Sequence, residues 1–207
     1  MRKWSKQDYK IMPWKNGGGS TTELAVFPEG ASLDHFVWRI STALVSSDGA
    51  FSHFARIDRT LAILSGEGMT LHADNDGIDF AAAAPLSVTL TRDSAPHQFS
   101  GELPIRAELL DGSVWDLNLM TRRDVCTHYM QRLEAGEHHV VAQDAQQVLL
   151  YCTQGSAVLN HDMPLQEADL VLLEEDHERT GVRLVVQASE DCLLYLMRIS
   201  FLNHAGT

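Results

Sequence analysis

The chain has 207 residues, 44% of them hydrophobic and 21% charged, enough to bury a sizeable core and too apolar for a disordered chain. Sixteen Lys and Arg stand against twenty-eight Asp and Glu, and the net charge of −12 repels phosphate backbones and anionic lipid, so neither nucleic acid nor a membrane surface is an expected partner. All four lysines (Lys3, Lys6, Lys10, Lys15) lie in the opening segment, yet no apolar stretch of leader type follows it, so this basic segment is expected to belong to the mature fold.

Taken in chain order, alternating apolar and polar residues predict strands at 22–27, 36–44, 60–65, 86–90, 105–110, 114–120, 127–133, 147–152, 169–173, 184–187 and 192–199. Turn chemistry separates them, as at Asp48-Gly49, Ser65-Gly66-Glu67-Gly68, Asn75-Asp76-Gly77, Asp111-Gly112 and Gln154-Gly155. In the second stretch Phe36, Trp38, Ile40 and Leu44 share one face, the pattern of a half-buried strand. No long segment carries a helical period, and the sum is an all-β sandwich or barrel. A faint echo between 61–71 and 148–158 places one strand, glycine turn, strand unit in each half, with a boundary near 121–126. Cys126, Cys152 and Cys192 form an odd, widely spaced set that suits neither disulfides nor zinc, and buried thiols in a reducing cytoplasm are expected.

Several segments are more specific. MPWKNGGGST at 12–21, Trp38-Arg39-Ile40-Ser41, DGAFSHFARIDR at 48–59, Phe99-Ser100-Gly101 and DLNLMTRR at 116–123 together resemble the HutD/Ves family of bicupins. That resemblance covers about the first 125 residues. It implies two cupin-like double-stranded β-helix barrels with little helix: an N-terminal barrel (1–122) holding the candidate ligand pocket, and a degenerate C-terminal barrel (123–207) packed against it and free to pair in a homodimer. It also implies a setting in histidine utilisation or a stress response, and brings no established reaction with it.

Metal-dependent cupins need a His-x-His pair, a carboxylate and a further His converging on one ion. Here Ser52-His53-Phe54-Ala55, Asp58 and His97 stand in those places, the second His of the pair is missing, and the odd separation of His53 and Asp58 sends them to opposite sides of a regular strand. No metal and no cofactor are expected. The alternative is an isomerase- or dioxygenase-type enzyme using His53, Asp58 and His97, or a metal-free one in which His53 or His97 moves a proton.

The row Asp116-x-Asn118-x-Met120-x-Arg122 lies on one strand face, with Trp115, Leu117 and Leu119 on the other. On the residues alone that polar row is either a solvated face or, inside a small barrel, a ligand-binding wall. The resemblance favours the wall. Arg39, Arg59 and Arg122 then suit a carboxylate clamp, with an ion pair to Asp48, Asp58 or Asp116 the other use of Arg39; Ser41 and Asn118 suit orienting hydrogen bonds, Asp116 the positioning of a guanidinium, and Trp14 an apolar side. Lys15 and Asn16 sit in the glycine-rich loop that follows Trp14, which either cradles an anion with its amides or serves only as a tight turn. The expected partner is a small anionic metabolite, bound rather than turned over.

Overall fold

The computed structural model describes residues 1–73, 87–174 and 182–202. The Asn75-Asp76-Gly77 turn and the first residue of the strand expected at 86–90 lie outside the described residues. In chain order the strands are β1 (Arg2–Trp4), β2 (Lys10–Pro13), β3 (Gly19–Phe27), β4 (Trp38–Val45), β5 (Gly49–Ala50), β6 (Ile57–Ser65), β7 (Met69–Ala73), β8 (Ser87–Leu90), β9 (His97–Ser100) and β10 (Ile105–Leu109). They continue with β11 (Val114–Arg122), β12 (Cys126–Leu133), β13 (Gly136–Ala142), β14 (Gln147–Gln154), β15 (Ser156–Leu159), β16 (Met163–Gln166), β17 (Leu170–Glu174), β18 (Val182–Ala188) and β19 (Leu193–Phe201). The only helical element among the described residues is one 3-10 turn at Lys6–Asp8.

The chain divides into two compact units, one of Lys10–Arg123 and one that comprises Asp124–Thr207 together with Met1–Tyr9. In the first, a six-stranded sheet (β2-β3-β4-β11-β6-β9) faces a four-stranded one (β5-β10-β7-β8). Ala43, Val45, Leu61, Ile63 and Val114 of the larger sheet and Met69, Leu71, Leu90, Ile105 and Ala107 of the smaller form one apolar cluster between them. In the second, β1-β17-β14-β19-β12 faces β13-β18-β15-β16 around Val148, Leu150, Leu184, Leu194 and Leu196. The segment 1–9, which the sequence reading grouped with the first barrel, pairs with the second: Arg2, Lys3 and Trp4 are in antiparallel register with Leu172, Val171 and Leu170.

Both units repeat one plan. The order β4-β11-β6-β9 recurs as β12-β19-β14-β17, and β5-β10-β7-β8 recurs as β13-β18-β15-β16. The echoed segments are the same part of each: β6 and β14 belong to the larger sheets, and after a left-handed glycine (Gly66 at φ +91°, Gly155 at φ +70°) the chain enters the smaller sheets as β7 and β15. Leu24, Ala25 and the whole of β4 except Leu44 are buried, and β4 is covered on both faces rather than one, Trp38 being 1% exposed and Arg39 6%. Its place between β3 and β11 explains why the half-buried pattern read from Phe36 to Leu44 understated it. Cys126, Cys152 and Cys192 are buried thiols outside any disulfide, and desolvation pushes the Cys152 thiol up to about 12, away from reactivity.

Candidate functional site

Cross-strand register decides what points into the first barrel. Asp116 lies opposite Ala43 and Ile63, Asn118 opposite Ser41 and Leu61, and Met120 opposite Arg39 and Arg59. Because Ala43, Leu61 and Ile63 belong to the apolar interior, the two-residue period carries Arg39, Ser41, Arg59, Asp116 and Asn118 to the same side. Thr21 and Glu23 join them opposite Ala43 and Ser41, and His97 and Phe99 opposite Leu61 and Arg59. The row of β11 from Asp116 to Met120 therefore faces the interior, or lumen, of the barrel. All five central polar side chains are buried: Arg39 6%, Ser41 3%, Arg59 5%, Asp116 2% and Asn118 7% exposed.

Two guanidiniums are held there in different ways. Arg39 donates through Nε to Glu23 Oε2 at 2.7 Å and through a terminal nitrogen to Ser41 Oγ at 3.4 Å. Arg59 is walled by three rings, its guanidinium carbon standing 4.8 Å from the centroid of Phe51, 5.2 Å from Phe99 and 5.7 Å from Phe54. Ring faces attract a cation without taking up its N–H groups, and Arg59 Nε is buried without a hydrogen-bond acceptor. Desolvation lowers the Arg59 pKa to about 10, the nearby Arg39 acting in the same direction and Asp116 against it. Asp116 is driven the other way: burial raises its carboxyl to about 7, against the pull of Arg59 and a hydrogen bond from the Ala43 amide.

Three further buried atoms of this lumen lack a partner within the protein, Asp116 Oδ1, Asn118 Oδ1 and His97 Nε2. Four of the five such atoms among the described residues thus gather in one interior. Each unsatisfied buried group costs roughly 1–3 kcal/mol, and such groups collect where a polar guest completes them. An unpaired cationic donor beside unpaired acceptors suits a small molecule bearing a carboxylate or carboxylic acid.

Of the residues expected at the site, Trp14, Arg39, Ser41, Arg59, Asp116 and Asn118 come together. Trp14 packs on the apolar cluster and donates its indole N–H to Thr21 Oγ1 at 2.8 Å. Lys15 and Asn16 do not join them: both are exposed at the tip of the β2–β3 hairpin. The loop amides are engaged locally, Gly17 donating to the Trp14 carbonyl (3.1 Å) and Gly18 to Asn16 Oδ1 (3.0 Å), so the segment is a turn and not an anion cradle. Arg122 donates to the carbonyls of Phe36 (3.1 Å) and Asp34 (2.9 Å), which makes it a brace for the chain entering β4 rather than part of the clamp. Glu23, His97 as a lining residue, and the ring wall of Phe51, Phe54 and Phe99 were not anticipated. Part of the signal for the rings was present in DGAFSHFARIDR, where Phe51 and Phe54 precede Arg59.

The alternative metal triad is not assembled. His53 is exposed, and Asp58 points away from the lumen, where Arg123 holds it at 2.8 Å. Among the described residues no three His, Cys, Asp or Glu side chains are placed to hold an ion. A lumen carrying Arg39 and Arg59 is also a poor donor set for a divalent cation. No described helix is long and apolar enough to cross a membrane.

Comparison with known proteins agrees with the fold. The HutD family model matches residues 6–194. An uncharacterized 21.2 kDa protein of the hutC 3′ region of Pseudomonas putida is 40% identical over 114 residues, 55% of this chain and 54% of that protein. Protein Ves of Cronobacter sakazakii is 39% identical over 123 residues, 58% and 61% of the two chains, so the matched part spans little more than half of these relatives. Among solved structures, HutD from Pseudomonas fluorescens SBW25 (formate condition) superposes with TM-score 0.78 at 26% identity, covering 98% of this chain and 99% of that one. A conserved protein of unknown function from Pseudomonas aeruginosa PAO1 reaches 0.79 at 32% identity, covering 96% and 98%. Bacillus subtilis oxalate decarboxylase superposes at 0.65 with 10% identity over 100% of this chain and 78% of its own, a likeness of fold alone.

Proposed function

Because the chain belongs to the HutD family, its matched model running over residues 6–194, we propose that the lumen of the first barrel is a receptor for a small carboxylate-bearing metabolite, which it binds without chemical change. The observation that carries this reading is the convergence of Arg39 and Arg59 on Asp116 and Asn118, whose buried donor and acceptor atoms are left open to a guest. Arg39, fixed by Glu23, and Arg59, fixed by its rings, present their free N–H groups to a carboxylate. Asn118 and Ser41 orient it, and Trp14 closes one apolar side. A degradation intermediate of histidine utilisation, or a ligand signalling stress, in the cytoplasm, is the setting that the family resemblance suggests.

The charge balance sets a pH dependence. With Asp116 protonated, Arg39 and Arg59 outweigh Glu23; with it ionised, the lumen is neutral. Anion affinity is therefore highest below about pH 7, where Asp116 keeps its proton, and falls as pH rises through that value.

A thermal-shift titration with formate, then larger mono- and dicarboxylates, tests the reading. At 100 times Kd a ligand adds about 2.7 kcal/mol to native stability, a shift of about 5–10 °C for a chain of this size. Arg39→Gln is expected to weaken binding about 10–100-fold, the worth of one charge-assisted hydrogen bond, and a shift that survives the substitution overturns the clamp. One observation favours an enzymatic rival: a carboxyl that titrates near neutrality beside Arg59 has the properties of an acid–base group. NMR of the bound acid separates the two readings, since the receptor returns it unchanged and an enzyme does not.

A further inference from the structure

The second barrel has a groove of about 500 Å³ of its own, lined by Thr127, His128 and Tyr129 of β12, Arg198 and Ser200 of β19, and the segment from Val141 to Ala145. Its position is not arbitrary. Tyr129 is opposite Arg198 and Thr127 opposite Ser200, as Ser41 is opposite Asn118 and Arg39 opposite Met120 in the first barrel. Arg198 in turn faces Val148, the residue that the internal echo aligns with Leu61, the partner of Asn118. The groove thus occupies the topological counterpart of the first lumen, with Arg198 in the place of Asn118 and Leu196 in that of Asp116.

Leucines fill the layers beneath, Leu194 and Leu196 being fully buried, so the polar character is confined to the mouth. There Arg198 Nε is buried with no acceptor, the one such atom among the described residues outside the first lumen. Asp144, on the β13–β14 connection, is exposed and lines the same groove, and neither it nor Arg198 takes part in an ion pair among the described residues. Tyr129 and Val141, 57% and 47% exposed, add an apolar wall to the groove.

We propose that this groove is a second, independent site for a zwitterionic small molecule, a free amino acid with an apolar side chain, its carboxylate on Arg198, its ammonium on Asp144 and its side chain against Tyr129 and Val141. A dianion is disfavoured by Asp144, and a simple amine leaves Arg198 unpaired, so only a ligand carrying both charges completes the pair.

The test is calorimetric titration of the full chain with L-leucine, 4-methylpentanoate and isopentylamine, which present both charges, the anion alone and the cation alone. Leucine is expected to bind at least tenfold more tightly than either half. Arg198→Gln and the surface substitution Asp144→Asn should each weaken leucine at least tenfold, while Arg39→Gln leaves it unchanged. Asp144→Asn threatens no buried contact, so its effect is readable even if Arg198→Gln fails to fold. Equal binding of leucine and 4-methylpentanoate, indifference to Asp144→Asn, or no heat with leucine would overturn the proposal. Loss of leucine binding in Arg39→Gln would assign the ligand to the first lumen instead.

Discussion

Asp116 concentrates the physics of the site, because one carboxyl is buried beside a guanidinium that only partly offsets its desolvation. Its folded pKa of about 7 lies above the ordinary 3.8, so the native state holds a proton that the unfolded chain releases between those values. The contribution to stability is therefore complete below about pH 4 and is lost as pH rises through about 7. Relative to wild type, Asp116→Asn is expected to gain stability between pH 5 and pH 8, read as the difference in urea midpoints at the two pH values; a constant difference contradicts the assignment. At this scale the sequence was partly legible. A two-residue period put Asp116 and Asn118 on one face of β11, but which face is solvated depends on the second sheet, a long-range fact. The same limit hid Glu23: its partnership with Arg39 depends on the β3–β4 register and on the irregularity just after it, between Glu23 and Ala25. Arg122 shares the period of the row, and only the carbonyls of Asp34 and Phe36 reveal that its guanidinium serves the backbone.

Among the elements, the strands that alternation revealed are mostly central ones, with strong apolar faces, such as β4, β6, β11, β14 and β19. Those it left unmarked include β1, β2, β5, β9, β13 and β16, each at the edge of its sheet. Edge strands bury less and carry a weaker period. Turn chemistry was the more dependable local signal. Gly68, between β6 and β7, has φ +113°, and a methyl group there would run into the Leu90 carbonyl. Gly68→Ala is expected to lower stability by about 1–3 kcal/mol, through strain and the displaced β8 partner. Gly49→Ala, where nothing lies within 4 Å, should stay within about 0.5 kcal/mol. Chemical denaturation of the two variants checks the contrast, and equal effects would contradict it.

The molecule as a whole is built from two units of one plan that differ in what fills them. One plan of sheets is used twice, the first interior keeping two arginines and two carboxylates and the second being filled by leucine, valine and cysteine above which a single arginine remains. The echo between 61–71 and 148–158 made the duplication visible, but not the destination of the opening residues. Met1–Tyr9 complete the second unit through the β1–β17 pairing, the Lys3–Asp169 ion pair at 2.7 Å and the Tyr9 hydroxyl, which donates to the Ala168 carbonyl at 2.6 Å. Removing residues 2–8 is expected to speed amide exchange across β17 at least tenfold, measured by hydrogen exchange; unchanged protection there would show that the pairing contributes little.

Whether a carboxylate completes the unpaired groups of the first lumen can be read from the arginine side-chain N–H signals in a nitrogen-15 spectrum during formate titration at pH 6. The Arg59 Nε–H resonance, unpaired in the protein, should move in a saturable way, while that of Arg39, already bonded to Glu23, holds nearly still. An Arg59 signal that stays fixed to saturating formate, or a drift that tracks ionic strength alone, would contradict the account.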